Sequence, residues 1–320
     1  MTFFRYNAIA MAAGLLLDLL IGDPEGWPHP VIWIGKWISF CDRRIRAGAA
    51  GDSRKLRRGA VWMTASTVLI AMAATAAVLR LAALGGSHVL LFVMTVISWT
   101  CLAAKSLAKE ARGVQKALQE CLEKGRKQVG RIVGRDTASL SAEEIVAATV
   151  ETVAENTTDG IVSPLIYLFL GGPVLAMGFK AASTLDSMEG YLDEKYRDIG
   201  WSSARLDDIL NYIPARISGH LMCLAALLTG LDGRNAFRIL KRDHANHLSP
   251  NCAWTESAAA GALHVQLGGS HEYFGKTIVK PTIGDADRPI CPEDITRTNR
   301  LMYGTTFLAS ALLIAIAYLL

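Results

Sequence analysis

Oxygen donors crowd one short stretch of the chain, Glu155-Asn156-Thr157-Thr158-Asp159, directly ahead of an apolar run. The preceding residues, 141–156, predict a helix. Ser141 and Glu144 have capping-box spacing, and Ile145, Val146, Val150 and Val153 make an apolar stripe. Glu151 and Glu155 are four apart and share a face, which is either a solvated acidic surface or one wall of a ligand site. Asp159 follows where Gly160 and Pro164 predict a break.

A second acidic cluster lies at 180–197, where Ser183, Asp186, Glu189 and Asp193 fall on one helical face and Lys180 stands just ahead. A third spans 204–216: Asp207 with Asn211, and Asp208 with Tyr212, are four apart, and Arg205 and Arg216 lie near the ends. Two further patches are Asp23 and His29 in the proline-rich loop 22–35, and Asn251 and Glu256 in 247–269. Small residues at 257–262 suit close helix packing.

Carboxylates beside lysine and arginine suit magnesium and phosphate. Magnesium takes oxygen ligands and keeps substrate phosphates, and arginine forks match phosphate oxygens. A structural reading competes at each patch. The acidic positions can be solvated faces of amphipathic helices, and the 22–35 loop an interfacial turn anchored by Trp27, Trp33 and Trp37. Charges this close to apolar helices are costly, and three clusters flank the same apolar segments, which favours a site. Residues 270–277 end like a phosphate-binding P-loop, but Ser270 occupies the position of its first glycine and no strand is predicted ahead of it.

These residues must be positioned by elements that composition places in a membrane. Of 320 residues, 51% are hydrophobic and only 19% charged, against about 25% charged in soluble domains. Mean hydropathy is +0.28. A net charge of +4 gives no reason to expect nucleic acid as a partner. The six cysteines form no Cys-x-x-Cys pair, so neither a zinc site nor a disulfide framework is expected, and most of them read as small buried hydrophobes.

A bilayer core needs about 20 mostly apolar residues in a helix. The runs 3–21, 60–84, 88–104, 212–230 and 303–320 meet or approach that. The first reads as a span and not a signal peptide, because no small-x-small cleavage site follows and more spans come later. The run 161–182 is interrupted by Gly171-Gly172-Pro173 and reads as two half-helices, re-entrant or forming one kinked span. Lysine and arginine concentrate in 36–58 and 105–135, on both sides of the 60–104 hairpin. Both segments are therefore expected in the cytoplasm, the N-terminus outside, and 231–302 in the cytoplasm.

The predicted fold is an all-α polytopic membrane protein. It has about five transmembrane helices, a broken or re-entrant helical segment and cytosolic helical loops. Residues 1–320 are read as a single integral-membrane catalytic domain. It includes a cytosolic amphipathic helical segment at 105–158, whose basic part lies along the membrane, and a cytosolic loop region at 231–302.

Taken together, four stretches resemble one family: "DLLIGDPEGWPHPVIWIGKWI", "ETVAENTTDGIVSPLIY", "KAASTLDSMEGYLDEKYRDIGWSSARLDDILNYIPAR" and "SPNCAWTESAAAGALHVQLGG". They are similar, in order and over nearly the whole chain, to the adenosylcobinamide-phosphate synthases of cobalamin biosynthesis, called CbiB or CobD. The stretch "SPNCAWTES" departs from the expected "SPNSGWPEA" but keeps Asn251 and Glu256.

The resemblance implies a multi-pass enzyme of the bacterial cytoplasmic (inner) membrane with its site facing the cytoplasm. It would use ATP and magnesium to join adenosylcobyric acid, through a propionate carboxylate, to the amine of 1-amino-2-propanol phosphate or ethanolamine phosphate. On that footing Glu155, Asp159 and Asp186 are expected to hold magnesium, with Glu155, Asp186, Asp207 and Asp208 catalytic. Lys180, Arg205, Arg216, Asn156, Asn211, Asn251, Glu256, Asp23 and His29 are expected to bind substrate or phosphate. Membrane lipid and a homo-oligomeric partner are also expected.

Two rivals stand beside it. Another magnesium-dependent membrane transferase would share the acidic clusters, yet the Asp-x-x-x-Asp pattern of the alcohol phosphotransferases is missing. A corrinoid or cobalt transporter would place charges deep in its spans, whereas 60–84 and 303–320 hold only Arg80, near an end.

Overall fold

A computed structural model describes residues 2–24, 26–134, 136–191, 194–273 and 276–320, with backbone alone for 270–273 and 276–280. The helices are α1 (Phe3–Ile21), α2 (Pro30–Ala49), α3 (Ser53–Leu84), α4 (Ser87–Cys101), α5 (Ala104–Glu120), α6 (Leu122–Val129), α7 (Ala142–Thr157), α8 (Ser163–Glu189), α9 (Trp201–Leu228), α10 (Gly233–Asp243), α11 (Cys252–Leu263) and α12 (Glu293–Leu319). A π-helical turn, Thr158–Val162, joins α7 to α8. Strands β1 (Leu267–Tyr273) and β2 (Lys276–Ile283) pair antiparallel. Among the described residues the regular secondary structure is thus helical apart from this hairpin.

By length and composition five helical stretches can cross a membrane: Phe3–Ile21, Ser53–Leu84, Ser87–Glu120, Ala142–Glu189 and Glu293–Leu319. Their outward residues, such as Leu16, Leu69, Leu81, Phe92 and Phe307, are exposed apolar side chains of the kind lipid covers. The chain is a multi-pass membrane protein. The expected hairpin is present: α3 and α4 are joined through Gly85 and Gly86, where a positive φ of 92° at Gly86 makes the turn. The expected span at 212–230 falls on the second half of α9, which is not among these five, because Pro214, Arg216 and His220 dilute its apolar run.

The chain divides into two compact units. One contains residues 1–102, 163–211 and 313–320, and the other 103–162 and 212–312. In the first, α8 packs against α1, α2, α3 and α4. In the second, α7 packs against α5, α6 and α11, and α11 against α10. Ala154, Met222, Ala226, Leu240, Ala258, Ala262 and Leu301 form its core. The small residues of 257–262 do what their size suggests: a Cβ on Gly261 would lie 2.8 Å from the Ala236 Cα, so α10 and α11 meet backbone to backbone.

Three prolines sit where helical hydrogen bonding should fail, and each stranded carbonyl has another donor. Pro164 has no N–H for the Gly160 carbonyl, which accepts from the Ala103 backbone N–H at 3.1 Å. The expected break at Gly160 and Pro164 is therefore absent. The π-helical turn widens the helix there and lets α7 run on into α8. At Gly171 and Gly172 the backbone does leave the helix, with φ of −139° and 63°, so the expected two half-helices are present. The Phe169 carbonyl ahead of that break accepts from Asn7 Nδ2 at 3.2 Å. In α9, Pro214 leaves the Leu210 carbonyl without its partner, and the Tyr167 hydroxyl donates to it at 2.8 Å. In lipid no water can replace such bonds, so proline survives only where protein groups do so.

Candidate functional site

In the second unit the acidic stretch is built on α7. The predicted capping box is present: Glu144 N–H donates to Ser141 Oγ at 3.2 Å, and Ser141 N–H to Glu144 Oε2 at 2.7 Å. Glu151 is half-buried, and its Oε1 accepts the Gly268 backbone N–H at 2.9 Å, pinning the hairpin at its irregularity between Gly268 and Gly269. One turn later, Glu155 Oε1 accepts the Cys252 S–H at 3.0 Å. Cys252 opens α11, preceded by buried Asn251 and followed by buried Glu256. Burial first, then the negative charges of Glu155, Glu256 and Asp159, push the Cys252 thiol well above its ordinary range. Glu155 of α7 thus contacts the half-buried Cys252 directly, and Asp159 and Glu256 lie near enough for their charges to act on the same thiol.

Asn156 and Arg216 do not join this group. Asn156 Nδ2 donates to the Thr152 carbonyl of its own helix at 2.9 Å. The Arg216 guanidinium lies 3.3 Å from the centroid of the Tyr212 ring and 4.9 Å from that of Trp254, and donates to the Tyr212 carbonyl.

In the first unit the structure joins residues far apart in sequence. The loop 22–29 brings Asp23 to His29, with Oδ1 3.7 Å from Nε2, and His29 caps α2 by accepting the Val31 N–H at Nδ1. Trp99 Nε1 donates to the Gly22 carbonyl at 3.0 Å and holds the loop. Burial depresses the His29 pKa, Asp23 opposes that, and the Lys180 charge, near enough to act on the imidazole, adds to the depression. Asp207 Oδ2 accepts from Asn211 Nδ2 at 2.9 Å, and Asn211 Oδ1 accepts from Ser163 Oγ at 2.6 Å. Asn211 and Ser163 are buried, so this chain is orienting as well as polar.

Of the expected face on α8, Asp186 is half-buried beside Gly190, where any side chain would collide with its carboxylate. Glu189 instead lies 3.8 Å from Arg46 of α2. Asp193 lies outside the described residues. Asp208 is half-buried and Arg205 exposed.

Cys41, Cys101 and Cys223 are buried as small apolar residues, Cys252 and Cys291 are half-buried and Cys121 is exposed; Cys252 also donates its S–H to a carboxylate. Residues 270–273 and 276–277 of the P-loop-like segment belong to the paired strands β1 and β2, and residues 274 and 275 lie outside the described residues; among the described residues the segment leads into no helix that could cradle phosphate. Ser163, Tyr167 and Cys252 escaped sequence reasoning because their partners lie 43 to 97 residues away.

Among the described residues no group of three or more His, Cys, Asp or Glu side chains converges as a metal cage. Magnesium seldom needs one: it is usually held by one or two carboxylates together with waters and substrate phosphates. Glu155 and Asp159 are half-buried carboxylates, a donor type that fits such an ion.

A family model described as CobD/Cbib protein matches residues 11–302. The cobalamin biosynthesis protein CobD of Citrobacter koseri is 49% identical over 315 residues, covering 98% of each chain. The cobalamin biosynthesis protein CbiB of Salmonella arizonae is 49% identical over 314 residues, 96% of each chain. CobD of Listeria monocytogenes serovar 1/2a is 46% identical over 312 residues, 96% of this chain and 98% of its own. No solved structure matches significantly.

Proposed function

Because the chain belongs to the CobD/Cbib protein family, whose relatives are named for cobalamin biosynthesis, we propose that it catalyses ATP-dependent amide formation on a corrinoid. The acid substrate is adenosylcobyric acid, and the amine is 1-amino-2-propanol phosphate or ethanolamine phosphate. The observation that carries this reading is the Glu155 carboxylate held by the Cys252 thiol, with Asp159 and Glu256 near enough for their charges to act there, which supplies the one or two carboxylates that a magnesium–phosphate substrate needs.

A carboxylate does not condense with an ammonium in water unaided. In this reading a propionate oxygen attacks the γ-phosphorus of ATP, ADP leaves, and an acyl phosphate forms. The free amine then attacks the acyl carbon, inorganic phosphate leaves, and the amide remains after loss of one proton. Such chemistry depends above all on positioning and charge neutralisation. Glu155 and Asp159 would hold magnesium, which when bound neutralises phosphoryl oxygens. Asp186, in the first unit, is proposed for the same role and is tested separately.

Lys180 is proposed to neutralise phosphate in the first unit, where Asp23 and His29 face one another beside it. Arg205 and Arg216 are proposed for other phosphate oxygens, and Arg216 already has its guanidinium plane set by Tyr212. Asp207, oriented by Asn211, or Asp208 would take the ammonium proton. The site is proposed to open to the cytoplasm, from which a corrinoid and ATP can reach it, in a bacterial inner membrane.

The test uses purified protein in detergent with adenosylcobyric acid, magnesium-ATP and each amine in turn. Mass spectrometry should show the corrinoid amide, and a coupled assay should show ADP. Asp159→Asn and Asp186→Asn should each abolish turnover while the protein stays folded, and full activity in either removes that residue from metal binding. Corrinoid binding with neither amide nor ATP turnover would favour a carrier.

A further inference from the structure

We propose that Cys252 is a positioning residue that holds the Glu155 carboxylate in its working orientation. The inference rests on the reading of Glu155 as a ligand and adds to it the group that fixes that ligand. Cys252 is the first residue of α11, and Glu155 lies in the last turn of α7, which packs on α11. The S–H donates to Oε1 at 3.0 Å. A thiol is a weak donor, but an ionised acceptor strengthens the bond. Asp159 and Glu256 put further negative charge around the same thiol, and within that acidic setting the S–H fixes the direction of one Glu155 oxygen. A neutral donor does this without neutralising the carboxylate. One fixed oxygen sets the plane of the group and leaves Oε2 as an acceptor. Residues that orient metal ligands in this way typically contribute about 10- to 100-fold in affinity or activity.

A packing role predicts a different mutational pattern. Alanine keeps a small apolar group at the start of α11, and serine replaces it with a hydroxyl. If Cys252 only fills space, Cys252→Ala should be the milder change; if it donates, Cys252→Ser should be.

The test uses the full chain in detergent. The S–H stretch of Cys252 is isolated as the infrared difference between wild type and Cys252→Ala. It should lie low in wavenumber, as for a bonded thiol, and rise in Glu155→Ala. A band unmoved by Glu155→Ala overturns the contact. Manganese(II), a spectroscopic stand-in for magnesium, is then titrated by electron paramagnetic resonance. Cys252→Ala should weaken binding by about tenfold, while Cys252→Ser stays within about twofold of wild type. Equal affinity in Cys252→Ala, or no binding by wild type, overturns the positioning role. Manganese binding that depends on Cys252 in a protein that makes no amide would refute the proposed reaction and leave this inference standing.

Discussion

Tyr167→Phe tests how the broken helices are held together. The Tyr167 ring stacks on Phe179 with centroids 4.9 Å apart, and phenylalanine preserves that contact. Only the hydroxyl is lost, and with it the donor to the Leu210 carbonyl, 2.8 Å away. In an ordinary helix that carbonyl would accept from residue 214, but Pro214 has no N–H. The substitution therefore leaves a carbonyl stranded away from water, at a cost of about 1–3 kcal/mol. Pro214→Ala returns the missing N–H. In that background the hydroxyl is redundant, and Tyr167→Phe should cost well under about 1 kcal/mol. The coupling between the two sites should then be about 1–2 kcal/mol. Unfolding of the four proteins in mixed micelles, followed by tryptophan fluorescence, gives the cycle. Additive costs, or a Tyr167→Phe protein as stable as wild type, would refute the idea that Tyr167 substitutes for the bond that Pro214 removes.

Other consequences are as direct. Asp207→Asn can keep its contact with Asn211 by turning its carbonyl toward Nδ2, so stability should fall by only about 1 kcal/mol. If Asp207 is the base, amide formation should fall by about 100-fold or more, and unchanged turnover would move that role to Asp208. Gly172→Ala should destabilise the protein by more than about 1 kcal/mol, because φ is 63° and the new Cβ would lie 2.9 Å from Asn7 Oδ1; an unchanged melting temperature would refute this.

His29 should be neutral at pH 7, since burial depresses its pKa and Lys180 adds to the depression. The unfolded chain then binds the proton more readily, so His29 favours folding in full above the ordinary histidine pKa, and this contribution falls away as pH drops below that value. Lys180→Met should raise the His29 titration midpoint seen by NMR, and a midpoint that stays put would mean that the Lys180 charge does not act on the imidazole.

The sequence by itself determined the membrane character, the capping box of α7, the turn between α3 and α4 and the rupture at Gly171-Gly172-Pro173. Each follows from local composition: twenty apolar residues, a serine three before a glutamate, or glycines that free the backbone. It also singled out Glu155, Asp159, Asn251 and Glu256 as polar residues out of place beside apolar helices. Tertiary structure alone decided what those residues meet. Nothing local says that Glu151 holds a hairpin amide while Glu155, one turn on, holds a thiol 97 residues away. Pro164 looked like the end of a helix because a missing N–H usually ends one. The rule failed because a π-helical turn absorbs the proline and the Ala103 N–H, distant in sequence, takes the vacated carbonyl. Hydrogen bonds that repair a helix from outside have no fixed spacing, so they become visible only once the chain has folded.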